Sequence, residues 1–285
     1  MFEILTKREL APNITEMKVR APRVAASAKP GQFVIVRTDR YGERIPLTIC
    51  DYDLNDESVT IVTQTVGIST RKINGLEAGE YLDDFAGPLG CPSDLLELSD
   101  EELSKLRVLF VAGGVGTAPV YPQVKWLKER GVEADVIIGA RTKDLFTYVD
   151  EMKSVGNVFL CTDDGTEGFH GNVTALMKHL IDEQGKKYDQ CIVIGPMIMM
   201  KFATLTAKEY GIPTTVSLNA LMVDGTGMCG ACRVTVGGKT RFTCVDGPEF
   251  DGYLVDFDEA MRRQNMYKDN PKTNPETHKC RCHGK

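Results

Sequence analysis

The chain has no run of five or six basic residues, no unbroken apolar stretch long enough to cross a bilayer, and no apolar core behind its first residues, MFEILTKREL. With a net charge of −6 and charges of both signs interspersed, the first absence removes the electrostatic footprint of nucleic-acid or anionic-lipid binding. The longest apolar run, around CIVIGPMIMM, is short and interrupted by Gly195 and Pro196, so neither a membrane span nor a signal peptide is expected, and the chain reads as soluble and cytoplasmic. Nine cysteines in 285 residues are too sparse for a disulfide scaffold. They are also unevenly placed, clustering at 229–244 and 280–282, which suits thiolate ligands in a reducing compartment.

What is present divides into three textures, and the length also favours two or three domains. Residues 1–98 carry short alternating segments (EMKVRA, QFVIVRT, SVTIVTQTV) separated by turn pairs such as P30-G31 and by GPLG at 87–90, the pattern of an antiparallel β-barrel. From 99 to 213 buried-strand segments (RVLFVAGG, ADVIIGAR, NVFLCTDDG, QCIVIGP) alternate with amphipathic helical ones, which implies a doubly wound α/β domain with a parallel sheet. From 214 to 285 turns dominate, and the last residues form a polar tail.

Three motifs carry chemistry. LFVAGGVGTAP (109–119) runs from a buried strand into Gly113, Gly114 and Gly116 at the start of a helix, where backbone N–H groups can approach a pyrophosphate; tight packing of helix on strand would require the same glycines. RIPLTI (44–49) and VTQTVGIST (62–70) place an arginine, hydroxyls and a second donor-rich turn in the barrel. VDGTGMCGACRVTVGGKTRFTC (223–244) has the spacing C-x2-C-x11-C of an iron–sulfur loop, with one ligand short of four.

The order of these pieces, R-x-P-L-T, G-x-S-T and GPLG in a barrel followed by GGVGTAP and GPMIMM in a doubly wound domain, resembles the ferredoxin–NADP reductase family over residues 1 to about 215. The resemblance implies FAD on the barrel at Arg44, Pro46, Leu47 and Thr48, at Val62, Thr63 and Gln64, and at Gly67, Ser69 and Thr70. It implies a nicotinamide nucleotide against Gly114, Gly116, Thr117 and Pro119 and against Gly195, Pro196 and Met199, with Ile194 where many members have cysteine. Arg141, after the second strand, is a candidate contact for a 2′-phosphate, and the residues alone leave NAD and NADP both open.

The C-terminal segment narrows the resemblance to reductase subunits with an appended [2Fe-2S] loop. These are the small subunits of electron-bifurcating NADH-dependent reduced ferredoxin:NADP oxidoreductases, with the electron-transfer subunits of dihydroorotate dehydrogenase and sulfide dehydrogenase as cousins. The dihydroorotate relatives have C-x4-C-x2-C and a later cysteine, whereas the first of those positions here is Asp224. The transhydrogenase subunits likewise have aspartate there, so the implied ligands are Asp224, Cys229, Cys232 and Cys244. The rival fourth ligands are Cys191, expected in a sheet strand, and Cys280 or Cys282, which require a long closure from the tail. Asp224-Gly225 is also a common turn pair.

The expected activity is hydride exchange between NAD(H) and FAD with single electrons relayed through the cluster, in a heteromer with a large flavin and iron–sulfur subunit through which ferredoxin is reached. An NAD(H)-linked subunit serving dihydroorotate or sulfide dehydrogenase is the nearest alternative. A zinc-stabilised binding module using the three loop cysteines is the alternative of another class. Cys280, Cys282 and His283 form a further metal candidate, Cys50, Cys91, Cys161 and Cys191 are expected as small core residues, and His170 and His179 have no partners that suggest acid–base work.

Overall fold

The computed structural model describes residues 1–266; Cys280, Cys282 and His283, the candidate tail ligands, lie outside the described residues. The first unit is built from eight short strands, β1 (Phe2–Ala11), β2 (Ile14–Arg20), β3 (Phe33–Arg37), β4 (Ile45–Thr48), β5 (Asp51–Asp53), β6 (Ser58–Gln64), β7 (Tyr81–Leu82) and β8 (Asp84–Leu89). They pair in the orders β5-β6-β2-β1-β7 and β4-β3-β8, all antiparallel. Alternation sets the inside of this barrel. Met17 and Val19 on β2 face inward beside Ile61 and Val59 of β6, and the intervening Lys18 faces out to Asp56.

The second unit is a seven-stranded sheet with β9 (Val108–Gly113) near its centre. Its other strands are β10 (Asp135–Ala140), β11 (Asn157–Thr162), β12 (Phe169–His170), β13 (Gln190–Ile194), β14 (Thr214–Ser217) and β17 (Glu249–Asp251), in the order β12-β11-β10-β9-β13-β14-β17. Every residue of β9 is buried, and its alternate residues feed two separate cores. Leu109 and Val111 pack with Met177 and Met200 on one face, while Phe110 and Ala112 pack with Val120 and Val124 on the other. That two-sided burial explains the unbroken apolar run in the sequence. The order in which successive strands are added reverses between β9 and β13, which pair in parallel, and this is the place where doubly wound sheets open a crevice.

One difference from expectation concerns the chain beyond 213. β14 pairs parallel with β13, and β17 adds antiparallel to β14, so two strands of the expected turn-rich segment complete the seven-stranded sheet. Only four residues long, β14 gives too short an alternation to stand out in the sequence. The remaining regular elements are the hairpin of β15 (Arg233–Val236) and β16 (Lys239–Phe242), the short helix Thr243–Asp246 and the helix Phe257–Gln264. No helix among the described residues is long and apolar enough to cross a membrane.

The three parts meet at a polar junction. Ser93, after the barrel, donates to Gln123 of the helix Thr117–Lys128 at 3.3 Å, and Gln123 Nε2 donates to Glu249 of β17 at 2.6 Å. Burial pushes the Glu249 carboxyl up to about 7, nearby Asp94 adds to the rise, and its Oε2 has no partner among the described residues. A raised folded pKa means that the native state keeps a proton which the unfolded chain releases near pH 4.5, so this carboxyl erodes stability as pH rises from there to about 7. We expect Glu249→Gln, which keeps the acceptor for Gln123, to remove that slope and to add on the order of 3 kcal/mol above pH 7, at about 1.4 kcal/mol per pKa unit. Urea unfolding at pH 5 and pH 8 checks this; equal stability of the two proteins at pH 8 contradicts it.

Candidate functional site

At the switch point a single cavity of about 1350 Å³ lies between barrel and sheet. Its barrel wall includes Pro46, Leu47 and Thr48 of β4 with Val62 and Gln64 of β6. The wall at the carboxyl end of the sheet includes Gly114, Gly116 and Pro119, Arg141 beyond β10, and Gly195, Pro196 and Met199 beyond β13. The remaining named positions stand off these walls. Thr63 alternates with Val62 and Gln64 and therefore points to the opposite face, where it is buried. Thr117 Oγ1 donates to the Gly114 carbonyl at 3.0 Å and closes the glycine turn. Thr70 Oγ1 accepts from the backbone N–H groups of Val66 (2.9 Å) and Gly67 (3.1 Å), capping the helix Ile68–Asn74, and Ser69 donates to Glu43. Arg44 is turned toward the C-terminal loop.

The glycines divide between two jobs. A Cβ on Gly116 would lie 2.3 Å from the Ile194 carbonyl oxygen, so this glycine lets the turn after β9 pack on the end of β13. Gly114 adopts φ +55° with nothing near its missing Cβ, so here the turn itself requires glycine. Met199 fills the gap between Gly113 and Gly195, its sulfur 2.3 Å from where a Gly113 Cβ would stand.

Some walls escaped the motif reading. Asp163, after β11 and beside the end of β10 that carries Arg141, and Asn172 beyond β12 also line the cavity, as do Met261 and Gln264 of the C-terminal helix. TDDG at a strand end was a visible pointer to the first group, whereas nothing in the sequence links residue 264 to a turn 150 residues earlier. Among the described residues Arg141 makes no ion pair.

The cysteine loop lies directly on the barrel. Cys232 and Cys244 are 2% exposed, their sulfurs 3.3 Å apart, and they share a small core with Phe33, Ile35 and Met222. Burial and the neighbouring Cys232 push the Cys244 thiol up to about 12. Cys229 is exposed, and the N–H groups of Ala231 and then Asp224 face its sulfur, holding its pKa below the ordinary thiol value. Asp224 Oδ2 accepts from Thr226 Oγ1 (2.5 Å), Thr226 N (3.0 Å) and Met228 N (3.3 Å), bonds that hold the carboxyl below its usual range and shape the turn. Among the described residues no three His, Cys, Asp or Glu side chains converge as a chelate for one metal ion. Cys50, Cys161 and Cys191 are buried as expected; Cys91 is exposed, because the GPLG turn carries it to the barrel rim, where its thiol donates to the Val245 carbonyl at 3.2 Å.

An antiparallel barrel packed on a doubly wound sheet, with one cavity between them and a cysteine loop on the barrel, defines a flavin-reductase-like electron-transfer protein. The model of the iron–sulfur cluster binding domain of dihydroorotate dehydrogenase B matches residues 219–256. The chain is 46% identical over 270 residues, 95% of it and 93% of the relative, to a dihydroorotate dehydrogenase B (NAD(+)) electron transfer subunit homolog of Thermotoga maritima. A probable electron transfer subunit of that enzyme from Methanocaldococcus jannaschii is 35% identical, with 84% of each chain covered. A solved structure of the NADH-dependent reduced ferredoxin–NADP oxidoreductase, described for flavin-based electron bifurcation, is similar with TM-score 0.87 and 43% identity over 94% of each chain. Amycolatopsis cytochrome P450 reductase GcoB shares the fold, at TM-score 0.61 and 16% identity over 74% of this chain and 66% of that one. The chain belongs to the family of dihydroorotate dehydrogenase B electron-transfer subunits.

The two glycine roles are separable. Gly116→Ala drives a methyl into the Ile194 carbonyl and is expected to destabilise the protein by about 1–3 kcal/mol, as overpacking does. Gly114→Ala meets only the left-handed backbone penalty of about 1–2 kcal/mol and leaves the β9–β13 contact intact. Amide exchange across β9 and β13 distinguishes them, with protection lost in the first variant and kept in the second; protection kept in both contradicts the assignment.

Proposed function

We propose that this chain is the NAD(H)-reactive subunit of a heteromeric flavoenzyme, with FAD on the barrel side of the cavity, a nicotinamide nucleotide on the sheet side, and a [2Fe-2S] centre in the C-terminal loop. The observation that carries this reading is the cavity of about 1350 Å³ whose walls bring Pro46, Leu47, Thr48, Val62 and Gln64 of the barrel to Gly114, Gly116, Pro119, Gly195, Pro196 and Met199 of the sheet domain. It exceeds the roughly 300–1,000 Å³ typical of one small-molecule site. The functional division follows the sequence textures: residues 1–98 for FAD, 99–213 for the nucleotide and 214–285 for the cluster.

Bound there, FAD would supply two-electron hydride chemistry with the nicotinamide, and an iron–sulfur centre would supply one-electron transfer. The protein's own part is placement. Leu47, Thr48 and Val62 offer a largely apolar wall for a flat ring, Gly114 leaves open space where a pyrophosphate can approach the backbone, and Met199 supplies an adaptable surface between Gly113 and Gly195. The sulfurs of Cys232 and Cys244, 3.3 Å apart, can share one metal, and the match of residues 219–256 to an iron–sulfur cluster binding domain favours a two-iron centre there over a lone zinc. This is the argument against the zinc module.

The finer assignment is the small subunit of an electron-bifurcating ferredoxin:NADP transhydrogenase, with a large flavin and iron–sulfur subunit as partner. It is supported by the likeness to the ferredoxin–NADP oxidoreductase structure and by aspartate at position 224. Service to a dihydroorotate dehydrogenase is the second reading, favoured by the names of the relatives and differing in the large partner. Copurification of the native complex decides between them.

NADH is expected to reduce the bound flavin faster than NADPH, since Asp163 shares the cavity end with Arg141 and opposes a 2′-phosphate. Stopped-flow bleaching of the flavin by each nucleotide measures this, and faster reduction by NADPH makes Arg141 a phosphate ligand. Flavin released by denaturation should be FAD; a visible spectrum with neither flavin nor iron–sulfur absorbance removes the proposal altogether.

For the cluster, Asp224→Ala is expected to lose iron, whereas Asp224→Cys keeps a [2Fe-2S] centre with an altered electron paramagnetic resonance (EPR) spectrum. Cysteine replaces the ligand but is a poor acceptor for Thr226 and Met228, so retention in that variant separates ligation from turn-making. An unaltered spectrum in Asp224→Ala, with loss in Cys280→Ser or Cys282→Ser, places the fourth ligand in the tail.

A further inference from the structure

We propose that Arg44 is a positioning residue for the iron–sulfur loop, holding the start of that loop, with the proposed ligand Asp224, on the barrel. The inference rests on the cluster assignment made above. Arg44 directly precedes β4, whose side chains wall the cavity, yet its guanidinium is spent on the C-terminal loop. Nε donates to the Val223 carbonyl at 2.8 Å, Nη2 donates to the Asp224 carbonyl at 3.4 Å, and Nη1 stands 3.8 Å from Asp84. Asp84 is itself held by Arg37 at 2.7 Å, so the fork is braced from behind.

The consequence follows from the planarity of the peptide bond. In a trans peptide the C=O and the following N–H point in opposite directions. Because the Val223 carbonyl is pulled toward Arg44, the N–H of Asp224 is turned away from Arg44, and Asp224 itself is fixed at the start of the turn that leads to Cys229. The opposite side of the loop is fixed by contact, since a Cβ on Gly225 would lie 2.7 Å from Ile35 and 2.9 Å from Leu89 of the barrel. Arg44 above and these two side chains below leave the ligand-bearing turn one orientation. Hydrogen bonds to ligand sulfurs and nearby charge both set the potential of such a centre. A nearby guanidinium favours the more negative, reduced form, so its loss shifts the midpoint potential downward.

The test uses full-length Arg44→Gln and Arg44→Lys, purified anaerobically, with FAD restored to wild-type occupancy before measurement. Iron content, the EPR g-values of the dithionite-reduced protein and the midpoint potential are read. The expected result is displaced g-values in both variants, with a more negative potential in Arg44→Gln and a smaller shift in Arg44→Lys, which keeps the charge but not the fork. Loss of iron from Arg44→Gln at full FAD occupancy also supports the proposal. Should Arg44→Gln fail to fold, Arg44→Lys alone carries the comparison through its g-values. Unchanged g-values and potential overturn it, and if FAD binding alone is weakened, Arg44 is a phosphate ligand only. Absence of iron and of any EPR signal from the wild-type protein is a separate outcome that defeats the cluster assignment itself.

Discussion

The contact on which the arrangement depends is that of strand β3 with the cysteine loop. Phe33 lines the central cavity and also shares a buried core with Cys232 and Cys244, so one side chain touches both the proposed flavin space and the proposed cluster ligands. Ile35, two residues on and on the same face, meets the loop at Gly225. Interiors are packed as tightly as organic crystals and do not deform freely, so this contact fixes the separation of the two redox sites. It also removes water from the inner pair of thiols while leaving Cys229 exposed at the rim.

The sheet supplies the other fixed wall. β9 is held on both faces by separate cores, and the turn that follows it packs on the end of β13 because Gly116 has no side chain to keep Ile194 away. Barrel and sheet are joined by ion pairs and hydrogen bonds: Lys125 to Asp51 at 2.9 Å, Arg8 to Glu151 at 2.7 Å, and Tyr148 to Glu16. Exposed pairs of this kind contribute at most about 1 kcal/mol each, so they set orientation more than stability. The Ser93–Gln123–Glu249 junction adds a buried polar tie among all three parts.

The barrel and the parallel strands were legible because their periodicities differ: alternation in β2, unbroken burial in β9. The glycine turn, the GP turn after β13 and the cysteine spacing were legible because each demands a residue type with no substitute. What the sequence did not reveal was non-local. β14 and β17 are too short to advertise themselves, and their place in the sheet depends on pairing across more than thirty residues. Arg44 reads as a cavity residue from its motif, yet its partners lie about 180 positions away. Thr63 was misjudged by motif membership, although the period of two in β6 already turned it from Val62 and Gln64. Cys91 looked like a core residue beside an apolar turn, and the direction of that turn was not encoded locally.

The central claim is that a single chain takes electrons in pairs from a nicotinamide and delivers them singly to its own loop. Anaerobic titration of the purified protein with NADH, followed by optical and EPR spectroscopy of the same samples, tests it most directly. The account predicts that flavin absorbance bleaches and that an EPR signal of a reduced [2Fe-2S] centre grows in with NADH as the sole reductant. Bleaching with no iron–sulfur signal, in protein that dithionite shows to contain the centre, would contradict it.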